Sequence, residues 1–423
     1  MREAASVSEP RFAAFVAIDW ADKKHVWSMQ AADSKEPQRG EIDHSPEAVE
    51  SWVAVLSSRF PGQPIAVAVE QSRGALVFML SKYEQVHVYP IHPRAAAQFR
   101  AALFPSGAKD DPVDADLLLE LLVHHRAHLR RLNPDNEQTR LVQHLVEGRR
   151  KLVNEKTRQS NRLTAKLKLY FPQMLDWFEE VDSPLVAALL KRWPTLEALQ
   201  KARPATVRSF LTAHNCRSRE LIDRRLEQIR QAIPAIRDQA VLQSAVVMTR
   251  ILVELIATLR QGIATFDRQI EQAAAAHPDV AIWDSFPGAG QVLAPRLLAA
   301  FGSQRDRYGK AADLQQFSGI APVLERSGKT AWVHFRWACP KFLRQTFHEW
   351  AGHSIAFCAW ARAYYEQQRQ AGKGHHAAVR ALAFKWIRIA FRCWKDGVPY
   401  DDSRYVRSLR RRGSPLAQAL SNL

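Results

Sequence analysis

The sequence predicts an α/β domain with a mixed central sheet, followed by two largely helical regions. One observation is the apolar, β-branched run Phe12–Trp20, which is typical of a buried strand and contains a single acid, Asp19. Another is the order of the segments that follow, in which three consecutive strands precede an alternation of helices and strands. A third is the change of composition after Asn133-Pro134, where leucines recur near heptad spacing in a basic stretch.

The composition indicates a globular protein with a polyanionic partner. The chain has 423 residues, enough for about two or three domains, and a hydrophobic content of 47% that argues against disorder. Its net charge of +17 favours nucleic acid, although a merely basic protein or one that docks on anionic lipid is the alternative. The four cysteines form no CxxC pair, so we expect neither a zinc knuckle nor a disulfide framework. We find no secretory leader and no apolar run of about 18 residues, so we expect no membrane span.

The N-terminal domain, residues 1–133, is predicted to contain five strands. The first three form a β-meander, and the predicted strands are residues 12–20, 25–30, 40–43, 65–69 and 86–89. A helix at Pro46–Phe60 begins behind Ser45, a good N-cap. Further helices are predicted at residues 94–103 and 111–130. This order gives a mixed sheet covered by helices.

The second region, residues 134–275, is predicted to be helical. Between His144 and Tyr170 there are eight Lys and Arg residues against two acids, which indicates an amphipathic basic helix, the arm. Apolar residues from Met248 to Ile270 recur by threes and fours, and they predict a second helix that pairs with the arm. A helical bundle with a solvated basic face is the alternative to nucleic-acid binding. We expect the arm to contact nucleic acid through Arg149, Arg150, Lys151, Arg158 and Arg162.

The third region, residues 276–423, contains two turns of interest. Phe286–Gly290 precedes a predicted helix at Gln291–Phe301, as in helix-hairpin-helix elements whose N–H groups face a DNA phosphate, although such turns also simply join helices. Arg326-Ser327-Gly328-Lys329 places a small hydroxyl residue between cations, and from the residues alone Ser327 is better explained as a turn serine that caps a strand or helix. Tyr405–Gly413 is predicted to be a basic tail.

Four acids occur where chain segments of an α/β sheet can converge. Asp19 ends the first strand, Glu70 follows a later strand, and Asp111 and Asp114 open the long helix. Carboxylates brought together in this way repel one another unless a divalent cation lies between them. Mg²⁺ prefers oxygen ligands, and two such ions clamp the attacking and leaving oxygens of a phosphodiester.

A purely structural explanation exists for the last pair of acids. Asp111 as N-cap, with Pro112 at the first helical position and Asp114 at the third, forms an acidic capping box. Spacing does not exclude Asp110 as a ligand in place of Asp111. The other nearby polar residues are expected in solvent or outside the ligand shell: Asp22, His25 and Asp116.

Taken together, these motifs resemble the insertion-sequence 110 family of transposases over about residues 12–395. The residues that carry the resemblance are Asp19 at the end of its strand, Glu70 in Val-Ala-Val-Glu-Gln-Ser-Arg-Gly, Lys109 to Ala115, the Phe286–Gly290 turn, Ser318 to Pro322, and Ser327-Gly328-Lys329. The resemblance implies an RNase H/RuvC-like catalytic domain at residues 1–133, a coiled-coil insertion at 134–275, and a C-terminal transposase domain at 276–423.

The resemblance also implies roles for individual residues and partners. Asp19, Glu70, Asp111 and Asp114 would hold Mg²⁺ or Mn²⁺, and Ser327 would be the nucleophile, with Ser318 as the alternative. Arg326, Lys329 and Arg336 would contact nucleic acid. The implied partners are donor and target DNA, a structured non-coding guide RNA, and further copies of the chain in a dimer or tetramer. The implied location is the bacterial cytoplasm, on the nucleoid when bound.

Two other functions are compatible with the same residues. A metal-dependent nuclease or junction resolvase would use the carboxylates and a water molecule, with Ser327 as a structural residue. A non-catalytic binding protein would use its positive charge for phosphate contacts alone.

Overall fold

The computed structural model describes residues 11–71, 74–103, 111–328 and 330–421, and it divides into two compact units, Met1–Pro134 and Asp135–Leu423. The strands of the first unit are β1 (Ala14–Asp19), β2 (Lys24–Ala31), β3 (Gln38–Asp43), β4 (Ile65–Val69) and β5 (Val86–Pro90). Its helices are α1 (Pro46–Arg59), α2 (Ala75–Leu80), α3 (Pro93–Leu103) and α4 (Asp111–His125), with a 3-10 helix at Arg126–His128.

The first unit contains the predicted mixed sheet, in the order β3-β2-β1-β4-β5. β1 pairs antiparallel with β2 and parallel with β4, and Ile18 is in register with Val69. The predicted third strand was too short, because β3 begins at Gln38. Gln38 and Arg39 are exposed residues of an edge strand, so backbone pairing with β2 places them in the sheet without an apolar pattern.

Helices cover both faces of this sheet. On one face Val16, Ile18 and Val67 pack with residues of α1 such as Val49 and Val53. On the other face Ala17 and Ala68 pack with Leu118 and Leu122 of α4 and with Ala96 of α3. The α/β class predicted for the N-terminal part is therefore confirmed, and α4 lies on the same face as the alternate residues of β1 and β4.

The second unit is helical apart from one hairpin. Its helices are α5 (Glu137–Tyr170), α6 (Gln173–Trp177), α7 (Pro184–Arg192), α8 (Leu196–Gln200), α9 (Pro204–Ala213), α10 (Arg219–Gln231), α11 (Gln239–Ala275), α12 (Val280–Asp284), α13 (Gly290–Phe301), α14 (Ala311–Phe317), α15 (Lys341–Phe357), α16 (Ala359–Gln370), α17 (His375–Asp396), α18 (Asp402–Arg411) and α19 (Pro415–Ser421). The hairpin strands are β6 (Val323–Ser327) and β7 (Thr330–His334).

The arm is the single helix α5, and it pairs antiparallel with α11 as predicted. Two glycines allow the close approach: a Cβ at Gly148 would lie 2.7 Å from Phe266 Cε1, and one at Gly262 would lie 3.0 Å from Leu152 Cδ1. Among the described residues α11 is the one helix long and apolar enough to cross a membrane by length and composition. Core helices of soluble proteins pass the same test, and α11 buries Leu252, among others, in a protein core.

Two hydrophobic cores hold the second unit together. The C-terminal core contains five fully buried tryptophans: Trp283, Trp350, Trp360, Trp386 and Trp394. Val142 and Val146 of α5 and Ile270 of α11 belong to this core. The boundary predicted at 275/276 therefore does not separate two cores. The far half of the arm packs in a second core, which includes Leu163, Leu167, Leu252 and Ile256.

The Phe286–Gly290 turn packs against α15. Gly288 has φ +74°, and a Cβ there would lie 2.9 Å from the backbone of His353 and Ser354. Trp350 Nε1 donates a hydrogen bond to the Pro287 carbonyl oxygen at 3.2 Å. These contacts support the interpretation of the turn as a close-packed helix connection.

The predicted basic tail at Tyr405–Gly413 was wrong, because α18 covers most of it. Asp401 is the N-cap and accepts a hydrogen bond from the Arg404 N–H at 3.1 Å. Tyr405 lies against Trp360, with ring centroids 4.7 Å apart, and Leu409 is buried. The two apolar residues are one helical turn apart, so they dock this segment on the C-terminal core.

Candidate active site

Asp19 and Glu70 lie at the same edge of the sheet. They follow Ile18 and Val69, which are paired in register on neighbouring parallel strands. Such strands lie about 4.8 Å apart. Side chains alternate between the two faces of a sheet. Asp19 therefore lies on the same face as Ala17, and Glu70 lies on the same face as Ala68. This is the face that α4 covers. The structure thus brings two of the four predicted ligands together.

Asp114 lies near the start of α4 and is buried, with 6% of its side chain exposed. It forms an ion pair with Arg100 of α3, whose side chain is 23% exposed. Arg100 was not among the sequence-predicted site residues, since nothing in its local pattern distinguishes it from other basic residues of a surface helix. Asp114 therefore has an internal cation as its partner.

The other helix-start acids are described only in part. α4 is described from Asp111 onward, and the residues directly before it lie outside the described ranges, so the N-cap role of Asp111 stays a prediction. The side chain of Asp111 and all of Asp110 lie outside the described residues. Asp116 points away from this group, because it forms an ion pair with Arg39 of β3 at 2.6 Å.

The donor chemistry of these acids fits a hard divalent cation, because carboxylate oxygens are the ligands that Mg²⁺ and Mn²⁺ prefer. Within the described ranges, no three His, Cys, Asp or Glu side chains lie close enough to hold a metal ion. The ion pair of Asp114 with Arg100 provides a physical reason.

A buried histidine fixes the turn that follows Asp19. His25 on β2 is fully buried, and its Nδ1 accepts a hydrogen bond from the Ala21 N–H at 3.2 Å. Its Nε2 therefore carries the proton and donates to His44 Nδ1 at 2.8 Å. Burial, and secondarily the charge of His44, lowers the pKa of His25 to about 4. His25 is thus neutral at ordinary pH, and it contacts the turn rather than joining the acids.

Ser327 lies at the tip of the exposed β6–β7 hairpin. It is paired with Thr330 of the neighbouring strand, and the following Gly328 has φ +56°, as tight hairpin turns require. Ser327 and Arg326 are both exposed. Lys329 lies outside the described residues.

Ser318, the alternative nucleophile, is fully buried at the end of α14. Its Oγ donates a hydrogen bond to the Gln315 carbonyl oxygen at 3.2 Å. A buried, hydrogen-bonded hydroxyl cannot reach a phosphodiester without local unfolding. Of the two serines, only Ser327 presents its side chain at the surface.

The base of the hairpin is anchored by cations and aromatic rings. The guanidinium groups of Arg344 and Arg380 lie 4.5 and 5.3 Å from the centre of the Phe335 ring. Arg336 is half-buried, and its Nε has no hydrogen-bond partner among the described residues. Trp337 is 79% exposed. The hairpin therefore projects from a fixed base with its tip in solvent.

The predicted nucleic-acid residues of the arm differ in their surroundings. Arg149 pairs with Asp267 of α11, Arg150 with Glu147, and Arg158 with Glu155. Lys151 and Arg162 are exposed, and the structure describes no ion pair for either in the regions it covers. Lys151 and Arg162 are therefore more available to an external phosphate than the paired residues Arg149, Arg150 and Arg158.

Comparison with known proteins adds the family. The DEDD transposase model of insertion sequence IS110 matches residues 16–172, which contain all four acids. The model described as the transposase of the IS116/IS110/IS902 family matches residues 281–366, which contain Ser327.

Relatives match nearly the whole chain. The candidate mini-circle transposase for IS117 of Streptomyces coelicolor is 27% identical, covering 94% of this chain and 97% of the relative. The 43.6 kDa protein of insertion element IS110 from the same organism is 27% identical, covering 82% and 85%. The 42 kDa protein of insertion element IS900 from Mycobacterium paratuberculosis is 24% identical, covering 90% and 96%. Because the two models together match more than half of the chain, residues 16–172 and 281–366, the chain belongs to the insertion-sequence 110 family of transposases.

Proposed function

We propose that this transposase cleaves and rejoins DNA through a covalent bond between Ser327 Oγ and a DNA phosphate. The observation that carries the proposal is the exposure of Ser327 at a hairpin tip, in contrast to the buried Ser318. Arg326 is exposed beside it and supplies a cation for the charge that develops on the phosphoryl oxygens. The family match over residues 281–366 supports the same assignment.

The proposed exchange conserves the number of phosphodiester bonds. Ser327 Oγ loses its proton and bonds to phosphorus, while the bond from phosphorus to one sugar oxygen breaks and that oxygen takes up a proton. A hydroxyl of another DNA end then attacks the protein–DNA ester and releases the serine. Because a neutral hydroxyl is a weak nucleophile, the step requires groups that favour its deprotonation.

We infer that Asp19, Glu70, Asp111 and Asp114 hold Mg²⁺ or Mn²⁺ for this reaction. When bound, such a cation polarises the phosphate and stabilises its transition-state charge. The neighbouring positions of Asp19 and Glu70 on parallel strands support the inference, as does the family match over residues 16–172. Arg100 would release Asp114 when the cation binds, and it would neutralise that carboxylate otherwise.

The proposed partners are donor and target DNA, with a structured non-coding RNA as guide. The net charge of +17 and the exposed cations of the arm support polyanionic partners. Sequencing of nucleic acid that copurifies with the protein tests the guide. We expect one enriched small RNA, and efficient recombination by RNA-free protein would contradict this part of the proposal.

Covalent trapping tests the central step. Incubation of the protein with labelled donor DNA and Mg²⁺ should give an adduct that survives denaturation, and Ser327→Ala should abolish it. Thr330→Ala is the matched control, because Thr330 is the cross-strand partner of Ser327 and carries the other nearby hydroxyl. An unaltered adduct in Ser327→Ala would refute the assignment.

The same assay separates the alternatives. Cleavage that persists in Ser327→Ala but is lost in Asp19→Ala would indicate a metal-dependent nuclease or resolvase using water. Tight binding without any Mg²⁺-dependent cleavage or exchange would indicate a non-catalytic binding protein.

A further inference from the structure

α17, α18 and the segment between them enclose a large open cleft, here called the C-terminal cleft, of about 1130 Å³. Its lining is mainly cationic. The cations on α17 and α18 that line it are Lys385, Arg388, Arg392, Arg404, Arg407 and Arg411. Two carboxylates, Asp396 and Asp401, line it as well. The cleft belongs entirely to the second unit and contains neither Ser327 nor the four acids.

Helical spacing directs these cations into the cleft. On each helix they occur at positions i, i+3 and i+7, which lie on one side of a helix. The opposite side of α17 is fixed by buried residues such as Trp386 and Ala390. α18 is docked by the burial of Leu409 and by the contact of Tyr405 with Trp360, and these two residues also line the cleft. Packing therefore holds two rows of cations toward the same space.

The two carboxylates neutralise these rows only in part. Asp396 binds Arg392 at 2.5 Å, and Asp401 accepts hydrogen bonds at the start of α18. No ion pair or hydrogen bond is recorded, within the part of the chain that the structure describes, for the guanidinium groups of Arg388, Arg404, Arg407 or Arg411. Like charges gathered with few counterions repel one another, so a bound polyanion would relieve an unfavourable arrangement.

Lys385 shows the same charge imbalance at the inner end of the cleft. Its Nζ lies 4.4 Å from the centre of the Tyr364 ring rather than beside a carboxylate. Burial, and then the charge of Arg388, lowers the pKa of Lys385. An anion bound between the two side chains would favour the charged ammonium form.

We propose that the C-terminal cleft binds the phosphodiester backbone of a nucleic acid. Arginine guanidinium groups match phosphate geometry with paired N–H donors. The row from Arg404 to Arg411 extends about 10 Å along α18, which corresponds to roughly three phosphates of one strand. Pockets for compact ligands are predominantly apolar, whereas this cleft is open and rimmed by exposed arginines. The inference rests on the proposed function only in taking DNA or RNA as the partner.

The test is equilibrium binding of the full-length protein to fluorescent duplex DNA and to a fluorescent structured RNA, without divalent metal. We expect the triple variant Arg404→Gln, Arg407→Gln, Arg411→Gln to bind at least one of them about tenfold more weakly at moderate salt. The slope of log affinity against log salt should fall by roughly two to three, as expected for three lost phosphate contacts. Loss for only one probe identifies which nucleic acid occupies the cleft.

A charge-matched control separates a site from general attraction. The variant Arg217→Gln, Arg219→Gln, Arg237→Gln removes three exposed arginines far along the chain from α17 and α18, and it should bind both probes within twofold of the wild type. Within α18, Arg410→Gln should have less effect than Arg407→Gln, because Arg410 does not line the cleft. The triple Arg→Lys variant should retain most of the binding and also reports on folding.

Three results would overturn the proposal: unchanged affinity and slope in the cleft variant, an equal loss in the charge-matched control, or selective loss of binding to phosphatidylglycerol vesicles with nucleic-acid binding intact. Because binding requires no strand chemistry, failure here leaves the covalent-adduct test unaffected. Conversely, absence of the adduct with cleft-dependent binding would refute the serine mechanism alone.

Discussion

Arg100 and Asp114 form an ion pair in which the carboxylate is almost fully withdrawn from solvent. The two residues lie on different helices, α3 and α4, and Asp114 is one of the four proposed metal ligands. Loss of one partner from a buried pair leaves an uncompensated charge, which typically costs about 3–5 kcal/mol. The pair therefore links the stability of this region to whichever cation neutralises Asp114.

We predict that Arg100→Gln makes thermal stability depend on divalent metal. Without the Arg100 guanidinium, the Asp114 carboxylate is left unpaired, so the melting temperature in EDTA should fall. Addition of Mn²⁺ should restore most of the lost melting temperature. The measurement is the midpoint of thermal unfolding with EDTA and with Mn²⁺. Arg39→Gln is the control, because its partner Asp116 is 33% exposed and should tolerate the loss. Equal Mn²⁺ stabilisation of wild type and Arg100→Gln would contradict the prediction.

The buried His25 predicts a loss of stability in mild acid. Its pKa is about 4 in the folded protein and about 6.5 when unfolded, so the unfolded state binds more protons between these values. The contribution of His25 to the free energy of unfolding is complete above pH 6.5. It falls as the pH drops toward 4, by roughly 3 kcal/mol at most. Titration of the ¹³C-labelled histidine rings by NMR checks this. The His25 signal, assigned with His25→Gln, should not shift between pH 8 and pH 5.

The arm residues should differ in their effects on nucleic-acid affinity. Charge reversal of Arg149, Arg150 and Lys151 together should weaken binding of RNA or DNA at moderate salt. Of the single changes, Lys151→Glu should have the largest effect, because Arg149 and Arg150 already pair with Asp267 and Glu147. Fluorescence anisotropy with salt titration measures this, and unchanged affinity of the triple variant would refute the role of the arm.

An exposed apolar stripe on α11 is a candidate interface for the homo-oligomer that the family resemblance implies. Met248, Ile251 and Leu255 are 39%, 47% and 45% exposed, and they recur at the spacing of a coiled-coil seam. We predict that Ile251→Glu with Leu255→Glu lowers the mass measured by light scattering to that of a monomer. Val55→Glu, at an exposed position of α1, should leave the mass unchanged. Retention of the oligomer in the double variant would place the interface elsewhere.

The strand-end acids could be predicted from sequence because each follows an apolar run whose period defines the strand. Ile18 and Val69 mark the ends of β1 and β4, and parallel pairing then brings Asp19 and Glu70 to one edge. Arg100 could not be predicted, because its role depends on the packing of α3 beside the start of α4. The available signal for the contact of His25 with His44 was one histidine in β2 and another directly after β3, the strand paired with β2.

Two features of the C-terminal region also depend on tertiary packing, which local sequence does not reveal. Local sequence does not distinguish Ser318 from Ser327, and only the burial of Ser318 by tertiary packing separates them. The charge of Arg410, Arg411 and Arg412 obscured the apolar pair Tyr405 and Leu409, which converts the predicted tail into a docked helix. Long-range packing decided both outcomes.

The antiparallel pairing of α5 with α11 constrains how the length of the arm can change in related proteins. The helices are joined to one core near Val146 and Ile270 and to another near Leu167 and Leu252, with Gly148 and Gly262 fitted against Phe266 and Leu152 between them. An insertion in one helix alone would shift every contact beyond it. Natural length variants should therefore carry matched insertions or deletions in both helices, in multiples of about seven residues that keep the same faces together.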